Sequence, residues 1–206
     1  ADRGIWLAKK RYILNVHNNE GVQYAEPKIK IMGIEAIKSS TPQVCREAMN
    51  AMFKIIMAGD ETKTQEAIQM FKTHFASLSA DKVAFPRGVN NIRKWANNVT
   101  VFEKGTPIHV RGSLLYNQAL KDRGLDKRYE PIRNGDKIKF AYLKKPNPLQ
   151  QNVISFLDHL PSEFELDRYI DYDLQFTKTF IEPVKMILDC IGWHVEPVSD
   201  LTEFFG

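Results

Sequence analysis

Asp171 and Asp173 flank Tyr172, and paired carboxylates are the groups that a metal-dependent or acid–base reaction would need. On a strand two such residues face the same way. The segment reads instead as the start of a helix, where residues two apart diverge by roughly 200°, so the pair assembles no site. The histidines His17, His74, His109, His159 and His194 are scattered and form no H-E-x-x-H pattern, and no glycine-rich phosphate loop is present. No Ser or Cys stands in a recognisable nucleophile setting. Cys45 and Cys190 lie far apart without metal-ligand spacing, so a reduced, intracellular chain is the default. The chain shows no self-contained active site, and no cofactor is expected in it.

The chemistry that the sequence does offer is cationic. Lys9-Lys10-Arg11-Tyr12 leads straight into the apolar run Ile13-Leu14-Asn15-Val16, and Lys28 and Lys30 alternate with Ile29 and Ile31. A strand fixes side-chain direction, so such residues can act from a rigid platform, and a nucleic-acid backbone or groove is the partner that suits them. Lysine ammoniums fit phosphate oxygens and the minor-groove acceptors that every base pair presents. Lys38 stands beside Ser39-Ser40-Thr41, where hydroxyls and a helix N-terminus can add phosphate contacts. Asn90-Asn91 with Arg93, and His109 with Arg111, extend the track. A solvated strand end with ordinary surface lysines is the plain alternative for any short basic run.

The elements that must hold these residues follow from pattern. A strand is expected over Tyr12–Val16, a turn at Asn18-Asn19-Glu20-Gly21, and a returning strand through Val22-Gln23-Tyr24 to Lys28–Ile31. Ser39-Ser40-Thr41-Pro42 marks a helix start with a hydroxyl cap. Val44, Ala48, Ala51, Met52 and Ile55 then form a stripe, and Gly59-Asp60 ends the helix. A second helix begins near Thr62, with Ile68, Phe71, Phe75 and Leu78 on one face, and the two read as an antiparallel pair. The pattern weakens from Asp81 to Pro107. A helix is expected over Ile108–Leu120, a tight turn at Asn134-Gly135-Asp136, a strand over Lys137–Leu143 and a partner strand over Val153–Leu157. Leu166–Ile191 reads as one long helix, bent or divided at Pro183.

Composition is that of an ordinary globular chain: 206 residues, 43% apolar, 26% charged, net charge +4. The charge is uneven. Bases dominate as far as Lys145, whereas from Asp158 onward only Arg168, Lys178 and Lys185 oppose a series of acids. No apolar run approaches membrane-spanning length and no signal peptide is visible, so no membrane partner is expected. The chain starts at Ala1 rather than Met, which fits a fragment, a processed product or a trimmed chain. Its last residues set Leu201 three positions before Phe204-Phe205, the spacing at which one helical turn anchors a peptide in a groove. Folding back onto its own domain is the alternative for that tail.

Taken together, these residues resemble the C-terminal palm-edge and thumb region of family B DNA polymerases of T-even-type bacteriophages and their cyanophage relatives. The resemblance rests on Lys9-Lys10-Arg11-Tyr12, on the stretch from Tyr24 to Glu35, on Lys38-Ser39-Ser40-Thr41-Pro42, Asn90-Asn91-Ile92, His109-Val110-Arg111-Gly112 with Tyr116-Asn117, and Thr179-Phe180-Ile181-Glu182-Pro183. It is dense over the first forty residues and thin over 61–85 and 125–161. It implies that Lys10 and Tyr12 contact the primer-end base pairs in the minor groove with Lys9 and Arg11 in support. Lys38, Ser39, Ser40 and Thr41 would contact phosphates where palm passes into thumb, and Asn90, Asn91, His109 and Arg111 would touch the duplex backbone. Leu201, Phe204 and Phe205 would dock to a sliding clamp, with Val198 in place of the glutamine that often opens such peptides.

The fold expected is α+β and mainly helical, with a small N-terminal sheet as palm remnant, a helical thumb with a β-containing tip, and a tail. The expected divisions are 1–40, 41–193 and 194–206. The family's metal-binding aspartates, its fingers and its exonuclease lie in motifs that this sequence does not contain. The chain alone is therefore expected to be inactive, with Mg in the complete polymerase. Its partners would be primer-template DNA, an upstream exonuclease/palm/fingers polypeptide and the clamp, in the cytoplasm of an infected bacterium. The competing reading is a non-catalytic protein-interaction module acting through its C-terminal peptide. A metal enzyme built on Asp171 and Asp173 is a third.

Overall fold

The computed structural model describes residues 1–198. The chain is α+β with helices predominating, 41% helix against 23% strand, as the patterning predicts. Leu201, Phe204 and Phe205 lie outside the described residues. The chain forms two compact units. The first comprises Ala1–Phe75 and the segment that begins at Thr177, and the second comprises Ala76–Phe176. The stretch 41–193 thus contributes to both.

The first unit opens with an antiparallel sheet of three strands in chain order, β1 (Arg3–Ala8), β2 (Arg11–Asn19) and β3 (Val22–Met32). Periodicity located β2 and the two ends of β3 but not β1. The β2–β3 turn is made by Glu20 and Gly21, both at positive φ, the pairing that matches strand twist, and Asn18 Oδ1 accepts the Gly21 N–H. Ile5, Ile13 and Ile31 stand opposite one another on the inner face, with Ile5 and Ile13 buried.

Helix α1 (Gln43–Ala58) follows and ends on left-handed Gly59. Its N-cap is Pro42, without a side-chain cap bond, so the expected hydroxyl cap is not made. Its buried face is Cys45, Met49, Met52, Phe53, Ile56 and Met57, about one residue around from the expected stripe. The bulk of Phe53 and the methionines decides that rotation, because the largest apolar side chains bury the most surface. Helix α2 (Glu61–Ala76) is started by Asp60, whose Oδ1 accepts the Lys63 N–H at 2.9 Å. Its Phe71 ring meets Phe180 at 4.7 Å between centroids.

The second unit holds α3 (Ala80–Val83), β4 (Phe85–Gly88), α4 (Ile92–Trp95), the short ribbon β5 (Ala96–Asn97) and β6 (Val101–Phe102), α5 (Ile108–Asp122), β7 (Lys137–Tyr142), β8 (Val153–Phe156) and α6 (Tyr172–Phe176). Its sheet runs β4-β7-β8, all antiparallel. Leu114, Leu115, Leu120, Ile138, Phe140, Ile154, Phe156 and Phe164 belong to one buried core. Gly112 lets α5 approach β8: a Cβ there would stand 2.8 Å from the Ser155 backbone nitrogen.

The expected long helix over Leu166–Ile191 is instead broken. Glu165 is left-handed, a 3-10 turn spans Asp167–Tyr169, and Ile170 bridges to Leu143. The Asp171 carboxylate then caps α6 by accepting the Leu174 N–H at 3.0 Å. A π-helical stretch over Thr177–Ile181 precedes α7 (Glu182–Asp189), which carries Pro183 in its first turn. Proline lacks the N–H that a continuous helix would require there, so the ladder widens and restarts.

Candidate nucleic-acid interface

The basic motif divides structurally at its turn. Lys9 and Lys10 are the two-residue connection between β1 and β2, where Ala8 pairs with Arg11. Lys10 is left-handed, at φ 62. Both ammoniums are exposed and neither has a bonding partner among the described residues. Gly33, also left-handed, lies against the Lys10 carbonyl, where any Cβ would collide with that oxygen. The end of β3 therefore clamps the turn from behind.

Arg11 points back into its own protein. Its Nη2 donates to the Glu35 carboxylate at 3.1 and 3.3 Å, and its Nε donates to the Gly33 carbonyl at 3.2 Å. Lys38 donates to the same carboxylate at 2.8 Å. Burial pushes the Glu35 carboxyl up, but the Lys38 hydrogen bond, the backbone and the charges of Lys38 and Arg11 outweigh it and hold the group below its ordinary value. Two of the expected anion-binding cations are thus matched by an internal acid, which a basic-run reading does not reveal.

Tyr12 is half-buried on the outer face of the sheet, between Trp6 on β1 and Met32 on β3 in cross-strand register. The Trp6 and Tyr12 rings lie 6.4 Å apart. Trp6 is 64% exposed and Met32 41%. The indole folds back over Gly4, where a Cβ would run into the ring and stand 2.7 Å from Leu14 Cδ2. Sequence reading did not single out this aromatic neighbour, although Gly4 and Trp6 stand at the two-residue spacing of one strand face. Lys28, Lys30 and Met32 alternate with Ile29 and Ile31, as expected of a half-buried strand. The Lys28 ammonium lies 4.3 Å from the Tyr24 ring, and Lys30 reaches Asn19 Oδ1 at 3.5 Å. Ser39 is exposed and Ser40 half-buried, whereas Thr41 is only 4% exposed and faces inward.

The remaining candidates sit in the second unit. Asn90 and Asn91 are exposed, and left-handed Asn91 gives its N–H to Asn134 Oδ1 at 2.6 Å. His109 opens α5 and is half-buried, its ring 6.3 Å from Phe140. Burial first and the Arg87 charge second push the imidazole below its ordinary value, which favours its neutral form. The Arg111 guanidinium lies over Phe102 at 5.7 Å and donates to Asn152 Oδ1 at 2.8 Å. Its Nε is buried without a hydrogen-bond partner among the described residues.

No cluster of three or more His, Cys, Asp or Glu among the described residues is placed to hold a metal ion. Burial pushes the Cys45 thiol up to about 12, which removes it as a thiolate nucleophile. None of the described helices is long and apolar enough to cross a membrane.

No protein-family model matches the chain. The DNA-directed DNA polymerase of Enterobacteria phage T4 is 32% identical to it over 207 residues, 98% of this chain and 22% of that protein. The DNA-directed DNA polymerase of Escherichia phage RB69 is 32% identical over 210 residues, again 98% of this chain and 22% of the relative. The chain spans about a fifth of the length of these curated relatives. It therefore matches a fragment of a T-even-type, family B DNA polymerase along nearly its whole length, including the stretches where the recognisable motifs are sparse.

Proposed function

We propose that the chain is the duplex-gripping part of a replicative DNA-directed DNA polymerase. It holds primer-template DNA, while the metal-binding aspartates belong to the upstream exonuclease, palm and fingers portion of the polymerase. The reading is supported by the match to phage DNA polymerases over 98% of the chain, together with the exposed Lys9-Lys10 turn that opens the basic motif.

Lys9 and Lys10, projecting from a rigid turn, make ionic contacts with phosphate or minor-groove acceptors at the primer end. Tyr12 lies against the sugar edge from the sheet face, and Lys28, Lys30, Ser39 and Ser40 continue the track. Asn90, Asn91 and Arg111 act on the duplex from the second unit. Arg11, Lys38 and Thr41 hold the architecture, since they are paired or buried, and His109, whose surroundings favour the neutral imidazole, joins them. Phosphate contacts carry no sequence information, so the grip is general. Leu201, Phe204 and Phe205 dock to a sliding clamp. The setting is the cytoplasm of an infected bacterium, and Mg enters only with the complete enzyme.

The test is fluorescence anisotropy on a primer-template duplex across a salt series. Affinity should fall steeply with salt and drop in Lys9→Ala with Lys10→Ala. Mixing the chain with an exonuclease/palm/fingers polypeptide should restore primer extension that neither piece performs alone. A flat salt dependence, or extension indifferent to this chain, would sink the reading.

A further inference from the structure

Asn134-Gly135, in the loop before β7, is the only Asn-Gly pair in the sequence, and every other asparagine precedes a residue that carries a side chain. Glycine leaves its own backbone nitrogen unshielded. That nitrogen can reach the side-chain carbonyl carbon of the asparagine before it and close a cyclic imide. Both residues are exposed, so water reaches them.

In the closed turn both reacting groups are held. The Gly135 N–H donates to the Val89 carbonyl at 2.7 Å, and the Val89 N–H donates to the Asp136 carbonyl at 2.9 Å. Asn134 Oδ1 accepts the Asn91 N–H at 2.6 Å, which fixes the carboxamide. The Asp136 N–H donates to the Arg133 carbonyl at 3.2 Å, and the Asp136 carboxylate accepts the Arg133 N–H at 2.7 Å. Gly135 sits at φ 92, the left-handed position that a turn of this kind assigns to glycine. The nucleophile is therefore present but withheld by its bond to Val89.

We infer that Asn134-Gly135 is a self-modifying site, an intramolecular deamidation gated by the Gly135–Val89 hydrogen bond. When that bond opens, the Gly135 nitrogen gives its proton to solvent and bonds to Asn134 Cγ. The Cγ–Nδ2 bond breaks and the amide nitrogen leaves as ammonia. Water then opens the imide at either carbonyl, giving aspartate or isoaspartate with no change in oxidation state. Aspartate keeps an acceptor for the Asn91 N–H and adds a negative charge. Isoaspartate also adds a methylene to the main chain and unmakes the turn. Asn91 lies on the duplex track of the proposed function, so conversion sets a carboxylate beside that track and weakens the grip. Only this last consequence rests on that reading.

The test incubates the full chain, folded and in urea, at mildly alkaline pH. Peptides spanning residue 134 are followed by mass spectrometry and by isoaspartate-directed methylation, and exchange of the Gly135 amide hydrogen is measured in parallel. Conversion in the folded chain should centre on Asn134, vanish in Asn134→Gln, and run slower than in urea in step with Gly135 protection, because only the opened turn reacts. Asp136→Ala loosens the turn and should raise Gly135 exchange and conversion together. Equal rates folded and unfolded, or conversion indifferent to Gly135 exchange, would overturn the gate. Conversion that persists undiminished in Asn134→Gln would overturn the site. Asn134→Asp should lower duplex affinity in anisotropy. If conversion proceeds while Asn134→Asp binds duplex as the parent does, the site stands and its effect on the grip falls. If neither protein binds duplex, the proposed function falls and the modification site does not.

Discussion

The carbonyl oxygen of Lys10 occupies the space that a Cβ on residue 33 would fill, and both Lys10 and Gly33 are left-handed. The neighbouring atom is backbone and cannot swing aside. Gly33→Ala combines that collision with an unfavourable φ and should destabilise the chain by more than about 1 kcal/mol. Duplex affinity should fall with it, because the turn carrying Lys9 and Lys10 must move. An unchanged urea midpoint would contradict this.

Lys10 and Arg11 are adjacent in sequence and opposite in role. Lys10→Ala should leave stability within about 0.5 kcal/mol and lower the salt slope of duplex binding by about 1. Arg11→Ala and Glu35→Gln should each cost about 1 kcal/mol, the pair being partly screened by solvent, with little change in slope. Paired urea and anisotropy measurements separate the two. The Glu35 contribution is present above its unfolded value of 4.5 and is lost as pH falls through its lower folded value.

His109 adds a pH dependence of the same sign in a higher pH range. Its folded pKa lies below the ordinary 6.5 because of burial and then Arg87. Between those two values the unfolded chain binds more protons, so stability rises with pH there and declines as pH drops below 6.5. His109→Asn should remove that part of the slope in urea midpoints collected between about pH 5 and pH 8. A slope equal to that of the parent would show that another group carries it.

Asn117 ties the 132–134 loop to α5 by two hydrogen bonds. Asn117→Ala leaves the Ile132 N–H and carbonyl without those partners and should cost about 2 kcal/mol. Hydrogen exchange should localise the loss to the Ile132 amide and its neighbours. Protection equal to that of the parent would refute the role.

Much of the scaffold was legible because periodicity reports burial directly: β7, β8, α5 and the turns at Glu20-Gly21 and Asn134-Gly135 follow from pattern and turn chemistry. Long-range pairing escaped it. β1 has no clean alternation, since Gly4 and the exposed Trp6 share its outer face, and it is a strand because β2 accepts it as a partner. The break in the C-terminal helix depends on the bridge of Ile170 to Leu143, 27 residues earlier. The site shows the same limit: a run of three cations looks uniform until Glu35, 24 residues away, withdraws Arg11 from it.

The order in which the chain visits its two units bears on how it is made. The first unit buries Phe180, Val184, Ile187 and Leu188, which follow the whole of the second unit in sequence. A ribosome therefore delivers every residue of 76–176 before it delivers the last of the first unit's core. Since domains tend to fold as they emerge, the later-starting unit is the earlier to finish. The strands that carry Lys10 and Tyr12 must wait with part of their core unfilled, and in that interval a chaperone or a partner polypeptide has its natural opening.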